Sequence, residues 1–118
     1  MLETDLQHVN TEEEVKQLIE QNRFVMISCG RMGPMCIPVY EIMHHLEPLY
    51  PHVVFRDLDF DIPGADIIKM LPECSFFMGL PFNIYYKDGK VVRATSSIQS
   101  RSQIVRILAK EFSDGQKQ

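Results

Sequence analysis

Two cysteines on either side of a short loop-forming stretch are the residues of this sequence best suited to chemistry. Cys29 and Cys36 are separated by six residues that include Gly30, Gly33 and Pro34. A cysteine reacts as its thiolate, and the unpaired backbone N–H groups at a helix N-terminus stabilise a thiolate. Two neighbouring thiols can exchange electrons with a protein disulfide through a mixed disulfide, without a bound cofactor. The spacing therefore raises the hypothesis of a Cys29–Cys36 redox pair.

The roles of the two cysteines follow from the segment that comes after them. The stretch "CIPVYEIMHHLEPLY" has the apolar periodicity of a helix, and Cys36 falls in its first turn. We therefore expect Cys36 to attack and Cys29 to resolve, and the reverse order stays open because an exposed Cys29 would meet the substrate first. A disulfide needs Cα atoms within about 7 Å, which a glycine-containing loop allows. The alternative is that both cysteines are small buried residues without reactivity.

Asp57 is a candidate proton acceptor for these thiols. It lies in the segment "HVVFRDLDFD", which we predict to be a strand beside the one that carries Cys29. A carboxylate in that place could take the thiol proton if it lies within hydrogen-bonding distance. The alternative, which its charge favours, is a solvated carboxylate in an acidic cluster with Asp59 and Asp61.

Three methionines and a third cysteine have a structural and a functional interpretation each. Met32, Met35 and Met78 either form an adaptable surface for a hydrophobic segment of a partner or simply fill volume. Cys74 is interpreted as a lone, half-buried cysteine rather than as a third redox thiol. Whether these four residues have a structural or a functional role therefore depends on where the fold places them.

Metal, nucleic-acid and membrane functions are not expected. The Cys-x6-Cys spacing is not that of a zinc finger, and the adjacent His44 and His45 point about 100° apart on a helix. The net charge is −4 and the basic residues are scattered, which argues against nucleic acid as a partner. Because no apolar run is long enough to span a bilayer and the N-terminus lacks a signal-peptide pattern, we expect a cytoplasmic protein.

The elements that must position these residues make up one domain over residues 1–118, an α/β fold with a mixed central sheet. Apolar periodicity, turn residues and capping boxes place each element, and helices should cover both faces of the sheet. The second helix should bury a face from Val39 to Leu49, and the last should bury Ile104, Ile107, Leu108 and Phe112. In order, the pattern predicts a strand at 6–9, a helix at 11–21, a strand at 23–28, a helix from 36, a strand at 52–61, a short helix at 63–71, a hairpin at 81–96 and a helix at 100–112.

Three stretches of the chain resemble the thioredoxin family. The stretch "RMGPMC" matches the family's Trp-Cys-Gly-Pro-Cys-Lys, "VVFRDLDFD" its central strand, and "MGLPFNIYYKDGKVV" its Gly-Ile-Pro-Thr motif with the strand and turn that follow. The resemblance covers residues 5–113. It implies a thioredoxin-like three-layer fold, a cis peptide bond at Leu80–Pro81, and a groove for an extended substrate segment formed by residues of the loop and of the proline turn. Those residues are Met32, Gly33, Pro34, Met35, Leu80 and Pro81.

The sequence departs from the family at the residues that carry its chemistry. Aligned on Gly33-Pro34, both catalytic cysteine positions hold methionine, Met32 and Met35, and the usual tryptophan is Arg31. The family's buried acid falls at Met26, and the lysine that faces it falls at Asp57. About five extra residues lie between Asp61 and Pro81.

The resemblance implies a thiol-disulfide oxidoreductase with an atypical pair, acting on protein disulfides or dithiols. It would need a recycling enzyme of the thioredoxin-reductase type. The rival interpretations are a redox-inactive protein-binding module on the same scaffold and a thiol redox sensor.

Overall fold

A computed structural model describes residues 2–113, and its elements follow the predicted order. The strands are β1 (His8–Val9), β2 (Phe24–Gly30), β3 (Val53–Asp59), β4 (Phe82–Lys87) and β5 (Lys90–Ser96). The helices are α1 (Glu12–Gln21), α2 (Ile37–Leu46), α3 (Asp66–Lys69) and α4 (Arg101–Glu111), with 3-10 turns at Glu47–Leu49, Pro63–Ala65 and Pro72–Cys74.

Local signals explain where these elements begin and turn. Helix α1 starts at a capping box in which the Thr11 hydroxyl accepts the backbone N–H of Glu14, and the Glu14 carboxylate accepts the N–H of Thr11. The hairpin between β4 and β5 turns at Asp88 and Gly89, whose φ angles are 53° and 80°. Two successive residues at positive φ give the turn type that matches the twist of paired strands.

The five strands form one mixed sheet in the order β1-β3-β2-β4-β5. Strands β1, β3 and β2 run parallel, and β4 and β5 run antiparallel to their neighbours. The helical crossover α2 lies between the parallel strands β2 and β3, as such pairs require. The predicted α/β class is confirmed. The arrangement places the Arg31–Cys36 loop at the carboxyl end of β2.

Two hydrophobic clusters, one on each face of the sheet, make up the core. The cluster on the first face, here called the α2–α4 face, contains Met26 of β2 together with buried residues of helices α2 and α4. The cluster on the second face, the α1–α3 face, contains Val25 of β2 together with Val15 of α1 and Ile68 of α3. Because successive strand residues point to opposite faces, β2 supplies side chains to both clusters.

The buried face of α2 ends earlier than predicted. Val39, Met43 and Leu46 are buried as expected, but Leu49 is 60% exposed. The reason is that the α-helix stops at Leu46 and continues as a 3-10 turn, whose three residues per turn rotate the following positions away from the face. The four inward positions predicted for the last helix are all buried.

Candidate functional site

The thiol of Cys36 lies at the start of α2, near Gly30, Tyr40 and Pro81. Gly30, the last residue of β2, has no side chain to fill this space. A Cβ atom on Gly30 would lie 2.8 Å from the Cys36 Sγ, 2.7 Å from the Tyr40 hydroxyl and 3.0 Å from the Pro81 Cβ. The missing side chain therefore creates the room in which the three groups converge. The Leu80–Pro81 peptide bond is cis, the isomer that the resemblance implies.

Cys36 is the N-cap residue of α2, one position before the first helical turn in which it is predicted. The carbonyl of Gly33 accepts the N–H groups of Cys36 at 3.1 Å and of Ile37 at 3.0 Å, and the Cys36 carbonyl accepts the N–H of Tyr40 at 3.2 Å. The Cys36 side chain belongs to the α2–α4 face and is 3% exposed. A reaction partner thus reaches the Cys36 sulfur only if the residues that cover it move.

Cys29 is fully buried in the other cluster, on the α1–α3 face. Burial raises the pKa of its thiol strongly, against the opposing effect of Lys69. Cys29 and Cys36 are both free thiols. The structure thus brings Cys36 to Pro81 but leaves Cys29 on the opposite side of the sheet.

The loop between the two cysteines is fixed by Arg31. Its guanidinium donates to both carboxylate oxygens of Asp61 at 2.8 Å and lies over the ring of Phe60, 5.1 Å from the centroid. Its backbone carbonyl accepts the Tyr40 hydroxyl at 3.1 Å. A bidentate ion pair restricts geometry even at the surface. Arg31 therefore anchors the loop at the position where the family has tryptophan.

The predicted substrate surface is partly apolar and open. Met32 and Met35 are 40% and 45% exposed, and Met78 is 98% exposed. Exposed methionines adapt their shape to different partners. The other residues predicted for this surface are exposed (Pro34), half-buried (Gly33, Leu80) and buried (Pro81).

Asp57 is buried, so the predicted alternative of a solvated carboxylate is wrong. It lies on the central strand β3, and its carboxylate accepts a hydrogen bond from the Thr4 hydroxyl and bonds the Nδ1 of His8 at 2.5 Å. Burial raises the pKa of this carboxyl, and the hydrogen bonds from Thr4 and His8 oppose that effect. The hydrogen-bond partners Thr4 and His8 come from the N-terminal segment, and the charge pattern around Asp57 gives no indication of them.

The position of the family's acid, Met26, is fully buried and apolar. Two residues further along β2, the Ser28 hydroxyl donates to the Asn83 side-chain oxygen of β4 at 2.9 Å. Asn83 in turn donates from its amide nitrogen to the Thr95 hydroxyl and to the Ser97 carbonyl. Polar groups at this level of the sheet are thus satisfied by neighbouring strands, and the buried carboxylate of this face is Asp57 instead.

Cys74 is buried, where the sequence predicts a half-buried cysteine. It ends the 3-10 turn Pro72–Cys74 and packs in the same cluster as Cys29. Burial, with a smaller contribution from Glu73, raises the pKa of its thiol to about 11. The segment before Pro81, which holds the extra residues, thus adds Cys74 to the α1–α3 cluster. The raised pKa keeps this thiol largely protonated at neutral pH.

Among the described residues, no helix is both long and apolar enough to cross a membrane. Within residues 2–113, no three His, Cys, Asp or Glu side chains come together in a way that would hold a metal ion.

The structure is similar to solved thioredoxins. Thioredoxin from Plasmodium falciparum is 19% identical with a TM-score of 0.73, and the match covers 90% of this chain and 99% of that one. Mitochondrial thioredoxin 3 from Saccharomyces cerevisiae, in its oxidised form, is 23% identical with a TM-score of 0.73, and the match covers 89% and 94%. Thioredoxin O2 from Arabidopsis thaliana, in its oxidised state, is 14% identical with a TM-score of 0.71, and the match covers 94% and 97%.

No protein-family model matches the sequence, and no curated protein is similar enough to match it. The structural similarity shows that this chain has the thioredoxin fold, as the sequence predicts.

Sequence reasoning missed three residues that shape the site. Tyr40 follows Cys36 by four positions, a spacing that places both on one side of a helix and gave a signal that could have been used. Gly30 and Thr4 gave none. The importance of Gly30 comes from crowding by distant residues, and that of Thr4 from a hydrogen bond across 53 positions.

Proposed function

We propose that this protein is a thiol-disulfide exchange protein of thioredoxin fold in which Cys36 is the attacking thiol. The observation that carries the proposal is the position of the Cys36 Sγ, which shares the space beside Gly30 with the Pro81 Cβ. Cys36 is the N-cap residue of α2, where the helix dipole favours a negative charge. The substrate class is a disulfide in an extended segment of a partner protein.

The exchange reaction balances without a cofactor. The Cys36 thiolate attacks one sulfur of the partner's disulfide, a new sulfur–sulfur bond forms, and the partner's second sulfur leaves as a thiolate. A second thiolate then attacks the Cys36 sulfur of the mixed disulfide, forms a disulfide with Cys36 and releases the partner's remaining sulfur as a thiolate. The two electrons gained by the partner come from Cys36 and that second thiol, which end joined in a disulfide.

Two sources of the second thiol remain. Cys29 is the one in this chain that the sequence predicts, but its side chain packs in the α1–α3 cluster while Cys36 packs in the α2–α4 cluster. Resolution by Cys29 therefore requires one sulfur to leave its cluster. A thiol from outside the chain needs no such movement, and a reductase of the thioredoxin-reductase type would be the recycling enzyme for either route.

The partner segment would lie against Met32, Met35, Leu80 and Pro81. The two loop methionines, Met32 and Met35, are 40% and 45% exposed. An extended segment bound there could also form backbone hydrogen bonds beside Leu80. The apolar, adaptable surface fits partner segments with hydrophobic residues next to the cystine.

The test uses the release of a coloured thiolate from dithiobis(nitrobenzoate) by the reduced native protein. We expect one equivalent to be released with rapid kinetics, and the Cys36→Ser variant to lose this phase. Cys74→Ser is the matched control, because it removes a buried cysteine on the other face and should retain the rapid phase. A rapid phase that survives in Cys36→Ser would overturn the proposal.

A second candidate is a protein-binding module without redox activity. It is favoured by Met32 and Met35, which occupy the family's two catalytic positions and are half-exposed. Reduction of insulin with dithiothreitol as the electron source separates the candidates. Turnover lost in Cys36→Ser supports exchange, whereas no turnover in the wild type, combined with binding that weakens in a Met32→Asp/Met35→Asp variant, supports the module.

A further inference from the structure

Tyr40 and Cys36 occupy one side of the first turns of α2. The backbone N–H of Tyr40 donates to the carbonyl of Cys36 at 3.2 Å, so the two residues are one helical turn apart. Both side chains belong to the α2–α4 cluster, where Tyr40 is 2% exposed. Residues at this spacing lie next to each other on a helix surface.

The functional ends of the two side chains meet at Gly30. The Tyr40 hydroxyl and the Cys36 Sγ lie 2.7 Å and 2.8 Å from the position of a Gly30 Cβ. The phenol ring reaches this point from inside the core, with Pro81 on the remaining side. A hydroxyl carries one hydrogen to donate and two lone pairs to accept. In the structure that hydrogen is donated to the Arg31 carbonyl at 3.1 Å.

We infer that Tyr40 is a positioning residue for Cys36. The Tyr40 hydroxyl holds the sulfur beside Pro81 and donates a hydrogen bond to the thiolate. The inference rests on the proposed role of Cys36 as the attacking thiol. With Cys36 protonated, the phenol hydrogen stays on the Arg31 carbonyl, as in the structure. When Cys36 loses its proton, the hydroxyl rotates and donates to the sulfur.

The electrostatics of the site support a phenol that stays protonated. Burial raises the pKa of Tyr40, and the nearby Cys36 and Asp57 raise it further. Tyr40 is therefore available as a donor throughout the range in which a thiolate forms. Arg31 and Cys29 also interact with charge on Cys36, and Arg31 is paired with Asp61.

Tyr40→Phe tests the inference because it keeps the ring and removes only the hydroxyl. The measurement is the thiolate ultraviolet absorbance as a function of pH, which reports the ionisation of Cys36. The curve of Cys36→Ser is subtracted from that of the wild type, and the curve of Tyr40→Phe/Cys36→Ser from that of Tyr40→Phe. Loss of a hydrogen bond to a charged group should raise the midpoint pH of Cys36 ionisation by about one unit. At a pH below the midpoint, the fraction of thiolate then falls roughly tenfold.

Tyr85→Phe is the matched control. Tyr85 is buried in the same cluster, and its hydroxyl donates to the Gln99 side-chain oxygen at 3.1 Å. We expect Tyr85→Phe to lower the urea midpoint of unfolding at least as much as Tyr40→Phe while leaving the Cys36 curve in place. An unshifted curve in Tyr40→Phe overturns the inference. Failure of the wild type to exchange with disulfides, with the Tyr40→Phe shift present, overturns the proposed function alone.

Discussion

Cys29 and Cys36 are seven positions apart in the sequence but pack in two separate hydrophobic clusters on opposite faces of the central sheet. Cys29 points from β2 into the α1–α3 face, and Cys36 starts α2 on the other face. Both thiols are buried, Cys36 near Gly30 and Pro81 and Cys29 among the apolar side chains of the other face. A bond between them therefore requires one sulfur to leave its cluster, whereas a mixed disulfide on Cys36 requires exposure of that sulfur alone.

Oxidation of the native protein should first produce a mixed disulfide rather than an internal one. With oxidised glutathione as the reagent, we expect mass spectrometry to show addition of one glutathione on Cys36. Moderate urea, which opens the clusters, should convert this adduct into a species that has lost two hydrogens. Rapid loss of two hydrogens in buffer alone, abolished by either Cys29→Ser or Cys36→Ser, would instead show that the pair forms in the folded protein.

Cys74 should be a slow nucleophile at neutral pH. Its pKa is raised from 9.0 to about 11, mainly by burial, so below pH 9 its thiolate fraction is about a hundredfold lower than that of an ordinary cysteine. Labelling by iodoacetamide, followed by peptide mass spectrometry, should therefore accelerate up to about pH 11. The same peptide in urea-unfolded protein provides the reference rate. Equal rates in the folded and unfolded protein at pH 8 would contradict the burial of this thiol.

Gly30→Ala should destabilise the protein and disturb the thiol. The added Cβ would lie within 3.0 Å of three side-chain atoms, those of Tyr40, Cys36 and Pro81, and the proline ring cannot rotate away. Overpacking of this kind costs about 1–3 kcal/mol, measurable from the urea midpoint. Gly33→Ala is the matched control, since nothing lies within 4 Å of its Cβ position and its φ is not positive. We expect it to change stability by less than about 0.5 kcal/mol. A similar loss in both variants would mean that the crowding at Gly30 is not the cause.

The fold could be predicted because its signals are local. The capping residue Thr11, the turn at Asp88-Gly89 and the apolar run of β2 each act through neighbours in the sequence. The end of the buried face of α2 differs from the prediction at Leu49, where the helix tightens into a 3-10 turn.

The site could be predicted only in part, because its geometry comes from contacts between distant segments. The start of α2 at Cys36 followed from periodicity. The burial of Asp57 depends on Thr4 and His8, which lie about 50 positions earlier and give no signal beside a carboxylate. Cys29 and Cys36 are separated because they pack against opposite faces of the sheet, and that packing involves residues distant in the sequence.

Asp57→Asn should make stability less sensitive to pH in the acidic range. Burial raises the pKa of Asp57 in the folded protein above 3.8, so the folded state favours the protonated form. The stabilisation from that form is complete below the unfolded pKa and is lost as pH rises through the folded pKa. The free energy of unfolding of Asp57→Asn, relative to wild type, should therefore increase as pH rises from about 4 and then level off. The comparison is repeated in a His8→Asn background, because His8 is a hydrogen-bond partner of the Asp57 carboxylate.

Asp61→Asn is the control with the opposite sign. Its carboxylate is exposed, and the hydrogen bond from Arg31 lowers its pKa below 3.8. The stabilisation from this pair is present above the unfolded pKa and is lost as pH falls through the folded one. Asp61→Asn should therefore lose stability relative to wild type as pH rises through the acidic range, while Asp57→Asn gains. Urea unfolding at a series of pH values measures both slopes. Slopes of the same sign would show that Asp57 is not the buried, reluctantly ionised carboxylate of the α2–α4 face.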